Sequence, residues 1–185
     1  MIDLVEILKS GLVGVIPTDT IYGLVGRALQ PEAVKKVFKL KNRSDGKGFI
    51  VLVSTAEDLK QFGVILSEKS LEILNKFWPG AVSVVLPVDS NKFDYLAAAD
   101  GTIAFRCPDK KDLLDLLKET GPLVAPSANP EGQPPAKNII EAKNYFADSV
   151  DFYEDGGELI SAPSTLIRIK DDKIEVLREG AVKIN

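Results

Sequence analysis

A chain of 185 residues, 45% hydrophobic and 27% charged, has the size and balance of one globular domain with its own core. Its 23 lysines and arginines against 27 acidic residues give a net charge of −4, which speaks against wholesale coating by nucleic acid. It has no histidine and one cysteine, Cys107, so Ser-His-Asp hydrolysis, Cys-His proteolysis, zinc sites built on histidine or thiolate clusters, and an internal disulfide framework are all excluded.

What remains is chemistry by carboxylates, hydroxyls, backbone amides and Lys or Arg. Reactions of phosphates suit that inventory, because positioning and charge neutralisation carry much of the catalysis there. No apolar run is long enough to span a bilayer. The opening MIDLVEILKS lacks the basic and apolar regions of a signal peptide, and a lone cysteine fits a reducing compartment. A cytoplasmic protein with no membrane partner is expected.

Residues 2–10 read as an amphipathic helix stopped by Gly11, and residues 12–16 as a buried strand ending at Pro17. PTDTIYGL follows at 17–24. Gln30-Pro31-Glu32 opens a helix with proline in its first turn, running to about residue 40. The loop KNRSDGKG leads into a strand over 49–53. Residues 54–57 fit a capping box for the next helix, and Ser67 starts another that ends near Trp78-Pro79-Gly80. Strands follow over 81–88 and 102–106. Asp109 is expected to cap a helix that Gly121 ends. A short strand over 123–125 runs into PSANPEGQPP, and a helix covers 138–146. Strand-like runs close the chain over 150–153, 165–169 and 173–177, with Asp171-Asp172 as a hairpin turn. Strands alternating with helices predict an α/β fold on a mixed sheet. With no repeat, low-complexity tract or linker, residues 1–185 form one domain. The Pro- and Gly-rich stretch 126–135 is the expected mobile loop.

Neither GxxxxGK[ST] nor GxGxxG is present. The informative segments instead sit where strands end, and each has two readings. In PTDTIYGL, two hydroxyls, a carboxylate and a phenol either face a ligand crevice, or Asp19 or Thr20 caps a short helix. In KNR, Lys41 and Arg43 would point to one side of an extended segment and grip a phosphate; the rival is a solvated basic helix end. Arg106 closes the apolar strand TIAFR and either pairs with a structural carboxylate or binds a ligand anion, the latter being favoured. PSAN, with Ser127 and Asn129, is a ligand loop or an ordinary turn. PST and REG, with Ser164 and Arg178, repeat the pattern. Between residues 35 and 47 stand Lys35, Lys36, Lys39, Lys41, Arg43 and Lys47 against the single anion Asp45. A local basic patch on an acidic chain suggests a small anionic ligand over a long polyanion. Cys107 and Trp78 read as packing residues.

In this order the segments resemble the threonylcarbamoyl-AMP synthase branch of the YrdC-like family. They are PTDTIYGL at 17–24, KNR before GFIVLV, FWPGAVSVVLP at 77–87, TIAFR at 102–106, APSANPEGQP at 125–134, PST at 163–165 and REGAV at 178–182, and they cover the chain nearly end to end. The resemblance implies a twisted sheet flanked by helices, with a deep concave cavity. It implies that L-threonine, bicarbonate and ATP, with magnesium carried by the nucleotide, give threonylcarbamoyl-adenylate and pyrophosphate. A partner tRNA-modifying transferase complex would receive the product. Carried over, Thr18, Arg106 and Ser164 would hold threonine, and Lys41, Arg43, Thr102, Ser127, Asn129 and Arg178 would hold ATP. Lys41 and Arg43 would act on the transferring phosphate, and no metal site on the protein is implied.

The chain departs from the family in three places. Many relatives have a histidine near position 52, which is Leu52 here, so threonine would be held differently. The loop after Arg43 reads SDGKG, where Asp45 would put a negative charge near the nucleotide. The chain ends soon after REGAV, so the further C-terminal domain of longer relatives is not expected. Two rival functions follow from the family. One is weak binding of RNA or ribosomes, which should fade steeply with salt. The other is a paralogue making a different carbamoyl-adenylate, as in hydrogenase maturation, whose protein carries domains absent from this sequence.

Overall fold

The computed structural model describes residues 3–43, 46–89, 91–170 and 173–184. Asp45 and the Asp171-Asp172 turn lie outside the described residues. In chain order the elements are α1 (Leu4–Lys9), β1 (Gly14–Pro17), β2 (Tyr22–Arg27), α2 (Pro31–Lys41), β3 (Ile50–Leu52), α3 (Glu68–Phe77), β4 (Val82–Pro87), β5 (Thr102–Arg106), α4 (Lys111–Thr120), β6 (Leu123–Val124), α5 (Ile139–Phe146), β7 (Phe152–Tyr153), β8 (Thr165–Lys170) and β9 (Lys173–Arg178). The strands form one sheet in the order β7-β1-β2-β6-β3-β5-β4-β8-β9. It is mixed: β1 pairs β7, β3 pairs β5 and β4 pairs β8 in parallel, while the other neighbours run antiparallel.

Most predicted elements are present, and the differences have local causes. The whole of β2 went unread, because Gly23 and Gly26 lower its strand signal. Both glycines sit at close approaches: a Cβ on Gly26 would lie 3.3 Å from Ala33 and 3.6 Å from Val37 of α2. Asp109 caps nothing, since Lys110 is the N-cap of α4. The capping box is shifted by one residue. The Asp58 carboxylate accepts from the Ser54 and Thr55 amides, and the helix it starts is a 3-10 turn over Ala56–Phe62.

Side-chain alternation along the strands divides the core between the two faces. Val15, Leu24, Val51 and Val124 pack on one face with Val34 and Val37 of α2, Leu74 of α3 and Phe146 of α5. Their neighbours Ile16, Val25, Leu52 and Leu123 pack on the other with Leu8 of α1 and Leu113 and Leu117 of α4. That second cover reaches only part of the sheet. Further along the same face, β5 and its neighbours present Thr102, Ala104, Arg106, Val85 and Leu166, and these line a cavity instead of a core. The concave site is therefore the stretch of the second face beyond α1 and α4.

The cavity's far wall depends on Gly180. After β9 the chain turns back over the segment before β8, with the Ala181 amide donating to Pro163 O at 2.9 Å. The Thr165 hydroxyl and the Val182 backbone hydrogen-bond to each other. A Cβ on Gly180 would stand 2.3 Å from Pro163 O and 2.6 Å from Ser164 O, both backbone atoms. Gly180→Ala is expected to lower unfolding free energy by about 1–3 kcal/mol, the usual range for overpacking, seen as a lower urea midpoint at unchanged slope. A wild-type midpoint would contradict this contact.

Candidate active site

Two adjoining chambers occupy the open face. The first, about 140 Å³, is lined by Thr18, Thr20, Arg106 and Ser164 together with apolar residues that include Ile21 and Ile50. The second, about 260 Å³, is lined by Arg43, Phe49, Val85, Ala98, Thr102 and Leu166 among others. Ile50, Ser127 and Arg178 line both, so the chambers meet at a hydroxyl and a guanidinium. Together they reach the lower end of the roughly 300–1,000 Å³ typical of ligand sites.

The first chamber is built on the β1–β2 turn. Pro17 pairs with Tyr22, leaving Thr18 to Ile21 as the connection. The Thr18 hydroxyl closes it, donating to Ile21 O at 2.6 Å and accepting from the Thr20 amide at 3.2 Å. A strand follows, so the helix-cap reading of Asp19 and Thr20 is wrong: the polar residues of the motif shape a hairpin. Arg106, 3% exposed at the end of β5, faces this turn. Its Nη1 donates to Thr20 Oγ1 at 3.2 Å, and its Nη2 lies 3.0 Å from Asp19 Oδ1. Burial lowers the Arg106 pKa; Asp19 opposes this, and the neighbouring Arg178 adds to the lowering. On the opposite wall the Ser164 hydroxyl shares a 2.8 Å hydrogen bond with buried Ser83, and Ser164 O accepts from Arg178 Nη2 at 2.8 Å.

In the second chamber, Arg43 lies 5.1 Å from the centroid of the Phe49 ring and donates to Lys47 O at 3.0 Å and Gly48 O at 2.6 Å. Desolvation is the main influence lowering its pKa, as it is for Arg178. The Thr102 hydroxyl donates to Asp100 Oδ1 at 2.6 Å. Its proton is committed, so it offers a ligand only lone pairs.

Lys41 and Arg43 do not share a side. Asn42 ends α2 in the left-handed conformation (φ 46°), which turns the two apart. Lys41 is buried, not solvated, and its ammonium donates to Ser127 O (2.7 Å), Ser127 Oγ (3.3 Å), Asn129 O (2.6 Å) and Asn129 Oδ1 (3.1 Å). Asn129 Nδ2 donates onward to Pro130 O and Gln133 O. Lys41 and Asn129 line neither chamber; they stand behind Ser127 and hold it at the junction. These bonds stitch down the first half of 126–135, so the expectation of a mobile loop fails there. Burial, and secondarily Arg43, lowers the Lys41 pKa to about 8, with Glu131 opposing.

The six cations do not form one patch either. Lys35 pairs with Glu32, Lys36 with Asp151 and Lys47 with Glu131. Lys41 is buried, Arg43 turns into the second chamber, and Lys39 is exposed. Leu52 stands opposite Arg106 in the strand pair and is buried under α1 and α4. Cys107 is a packing residue: burial first, then Asp58, Asp19 and Asp109, holds its thiol up at about 11. The Trp78 indole donates to Val82 O at 2.8 Å inside the core. Thr20, one of the two hydroxyls read in PTDTIYGL, lines the first chamber, whereas Ser83, which supports Ser164, went unread. A lone hydroxyl in the apolar run VSVVL was the available signal for Ser83.

Comparison with known proteins gives three findings. The family model Sua5_yciO_yrdC, described as telomere recombination, matches residues 6–180. A Mycobacterium tuberculosis protein is 33% identical over 98% of this chain and 84% of its own length, and the threonylcarbamoyl-AMP synthase of Bacillus subtilis is 31% identical over 95% of this chain. The crystal structure of Pyrococcus abyssi Sua5 complexed with L-threonine superposes with a TM-score of 0.87 at 29% identity over 95% of this chain. The chain spans 52% of the length of these last two proteins.

Lys41 has a test of its own. Lys41→Met keeps the aliphatic stem but strips a partner from each of four oxygens. Relief of a buried charge is a smaller gain than that loss, since leaving a buried polar group unpaired costs about 1–3 kcal/mol. A net loss of stability is expected in urea unfolding. An equal or higher stability would show that the ammonium is not what holds the Ser127–Asn129 turn.

Proposed function

We propose, from the premise that the chain belongs to the YrdC/Sua5-like family of threonylcarbamoyl-AMP synthases, that it joins L-threonine, bicarbonate and ATP into threonylcarbamoyl-adenylate and pyrophosphate. A tRNA-modifying transferase complex takes the product. The observation that carries this reading is the pair of chambers: one floored by a buried arginine, the other larger and lined by both apolar and cationic side chains, with Ser127 and Arg178 at their junction.

In this reading threonine sits in the first chamber with its carboxylate on Arg106. Thr18, its own proton given to Ile21 O, accepts from the ligand's donors, and Ser164 adds a hydroxyl. ATP sits in the second chamber. Phe49, Val85, Ala98 and Leu166 suit a nucleobase. Thr102, able only to accept, suits a base amine or sugar hydroxyl better than a phosphate. Arg43 and Arg178 meet the phosphates, while Lys41 and Asn129 act by fixing Ser127. The described lining is cationic and hydroxylic, so magnesium travels on the nucleotide's own phosphates. The threonine amine condenses with bicarbonate to a carbamate, releasing water, and a carbamate oxygen then attacks the α-phosphorus: that oxygen–phosphorus bond forms, the bridge to the β-phosphate breaks, and pyrophosphate leaves. Two anions must meet for this, so cations at the junction lower the barrier, and holding both partners in place supplies much of the rest.

The purified protein with ATP, magnesium and bicarbonate is expected to release pyrophosphate only when threonine is added. Arg106→Ala should raise the threonine KM about tenfold or more, the equivalent of one charge-assisted hydrogen bond, and change the ATP KM little. Folded protein with no threonine-dependent pyrophosphate would sink the assignment.

A further inference from the structure

We infer that Asp19 is a positioning residue: from behind the chamber wall, its charge fixes the Arg106 guanidinium in the orientation that meets the ligand carboxylate. This rests on the reading of the first chamber as an amino-acid site.

The geometry separates Asp19 from its neighbours. Thr18, Thr20 and Ile21 line the chamber, whereas Asp19 does not. Its carboxylate, 5% exposed, lies beside Arg106 Nη2 at 3.0 Å, and its Oδ2 accepts weakly from the Asp109 amide at 3.4 Å, ahead of α4. Asp19 therefore does not touch a ligand in the chamber and does not compete with one there. Thr20 holds Nη1, Asp19 holds the Nη2 side, and Nε has no hydrogen-bond partner among the described residues although it is buried. An orphaned donor on a buried guanidinium is unfavourable in isolation, which makes the adjoining carboxylate charge the more important in holding the group.

Charge leads to the same conclusion. Arg178 is close enough to disfavour the charge on Arg106, and Asp19 is the anion seated against Arg106. With Asp19 in place, Arg106 has a local counter-ion that the ligand does not have to supply. Without it, the chamber holds two unbalanced cations, and Arg106 is free to turn toward other oxygens. The Asp19 Oδ1 atom itself forms no hydrogen bond, so its grip on Arg106 is electrostatic, and the neutral Asn should not reproduce it.

The test is Asp19→Asn, which preserves shape. Threonine KM is expected to rise at least tenfold, while ATP KM and kcat at saturating threonine stay within about threefold of wild type. A threonine KM that is unchanged or lower, or a uniform fall in all parameters, would overturn the inference. A second readout needs no turnover. In ligand-free wild type, the Arg106 side-chain NMR signals should show hindered rotation about the guanidinium bonds, lost in Asp19→Asn. A freely rotating Arg106 in the wild type refutes the positioning role even if catalysis is as proposed. Conversely, hindered rotation with no threonine-dependent turnover leaves Asp19 positioning Arg106 and rejects the functional reading. If Asp19→Asn does not fold, the wild-type NMR measurement decides alone: hindered rotation supports the tether and free rotation refutes it.

Discussion

A guanidinium buried at the end of a central strand needs nearby compensation, because an uncompensated charge in a protein interior is one of the least favourable arrangements available. Arg106 imposes that demand here. The hairpin between β1 and β2 meets it, bringing Thr20 and Asp19 to one side of the guanidinium. The turn is closed by Thr18 through its own backbone, so the compensation is local and rigid. The fold also leaves the sheet open beside Arg106, since α1 and α4 cover only the strands up to Leu52. A strand end that is charged, compensated and still uncovered is what makes this face a site and not a core.

A second buried cation is treated differently. Lys41 spends its donors on four oxygens of the Ser127–Asn129 turn and presents nothing to either chamber. The cations of the site thus divide by role. Arg43 and Arg178 stay on the cavity surface, Arg106 is tethered by Thr20 and Asp19, and Lys41 is wholly committed to architecture. Planarity accounts for part of this: a guanidinium can be held on one edge and present another, whereas an ammonium surrounded by oxygens has no second edge.

How much of this the sequence disclosed depends on the range of the contacts involved. β5 was read to the residue, because TIAFR is an apolar run with a clear start and stop. β2 was missed because Gly26 answers to Val13 and α2, and Gly23 to Thr18 and Ala125, not to strand propensity. The site strings were legible as strand-end polar clusters, and all but Lys41 and Asn129 line the chambers. Those two could not be assigned from spacing. Lys41 bonds to residues 86 and 88 positions away, and the left-handed turn at Asn42 reverses the side a straight segment would give Arg43. Basic residues close in sequence suggested a patch, but most of their partners, such as Asp151 and Glu131, arrive from distant segments.

The absence of histidine now has a structural setting. Position 52 is the cross-strand neighbour of Arg106, so an imidazole there would add a polar group beside the guanidinium. Leu52 instead joins the core under α1 and α4, and the chamber's polar recognition is concentrated on the β1–β2 turn, Arg106 and Ser164. With few polar groups in the chamber, each needs a well-defined direction, since a donor free to swing loses in orientation what it gains in charge. Thr18 and Arg106 both have their orientation fixed by neighbouring groups. In a chamber without imidazole, the PTDT turn therefore carries the directional information, with Thr18 on the ligand side and Asp19 behind the arginine it serves.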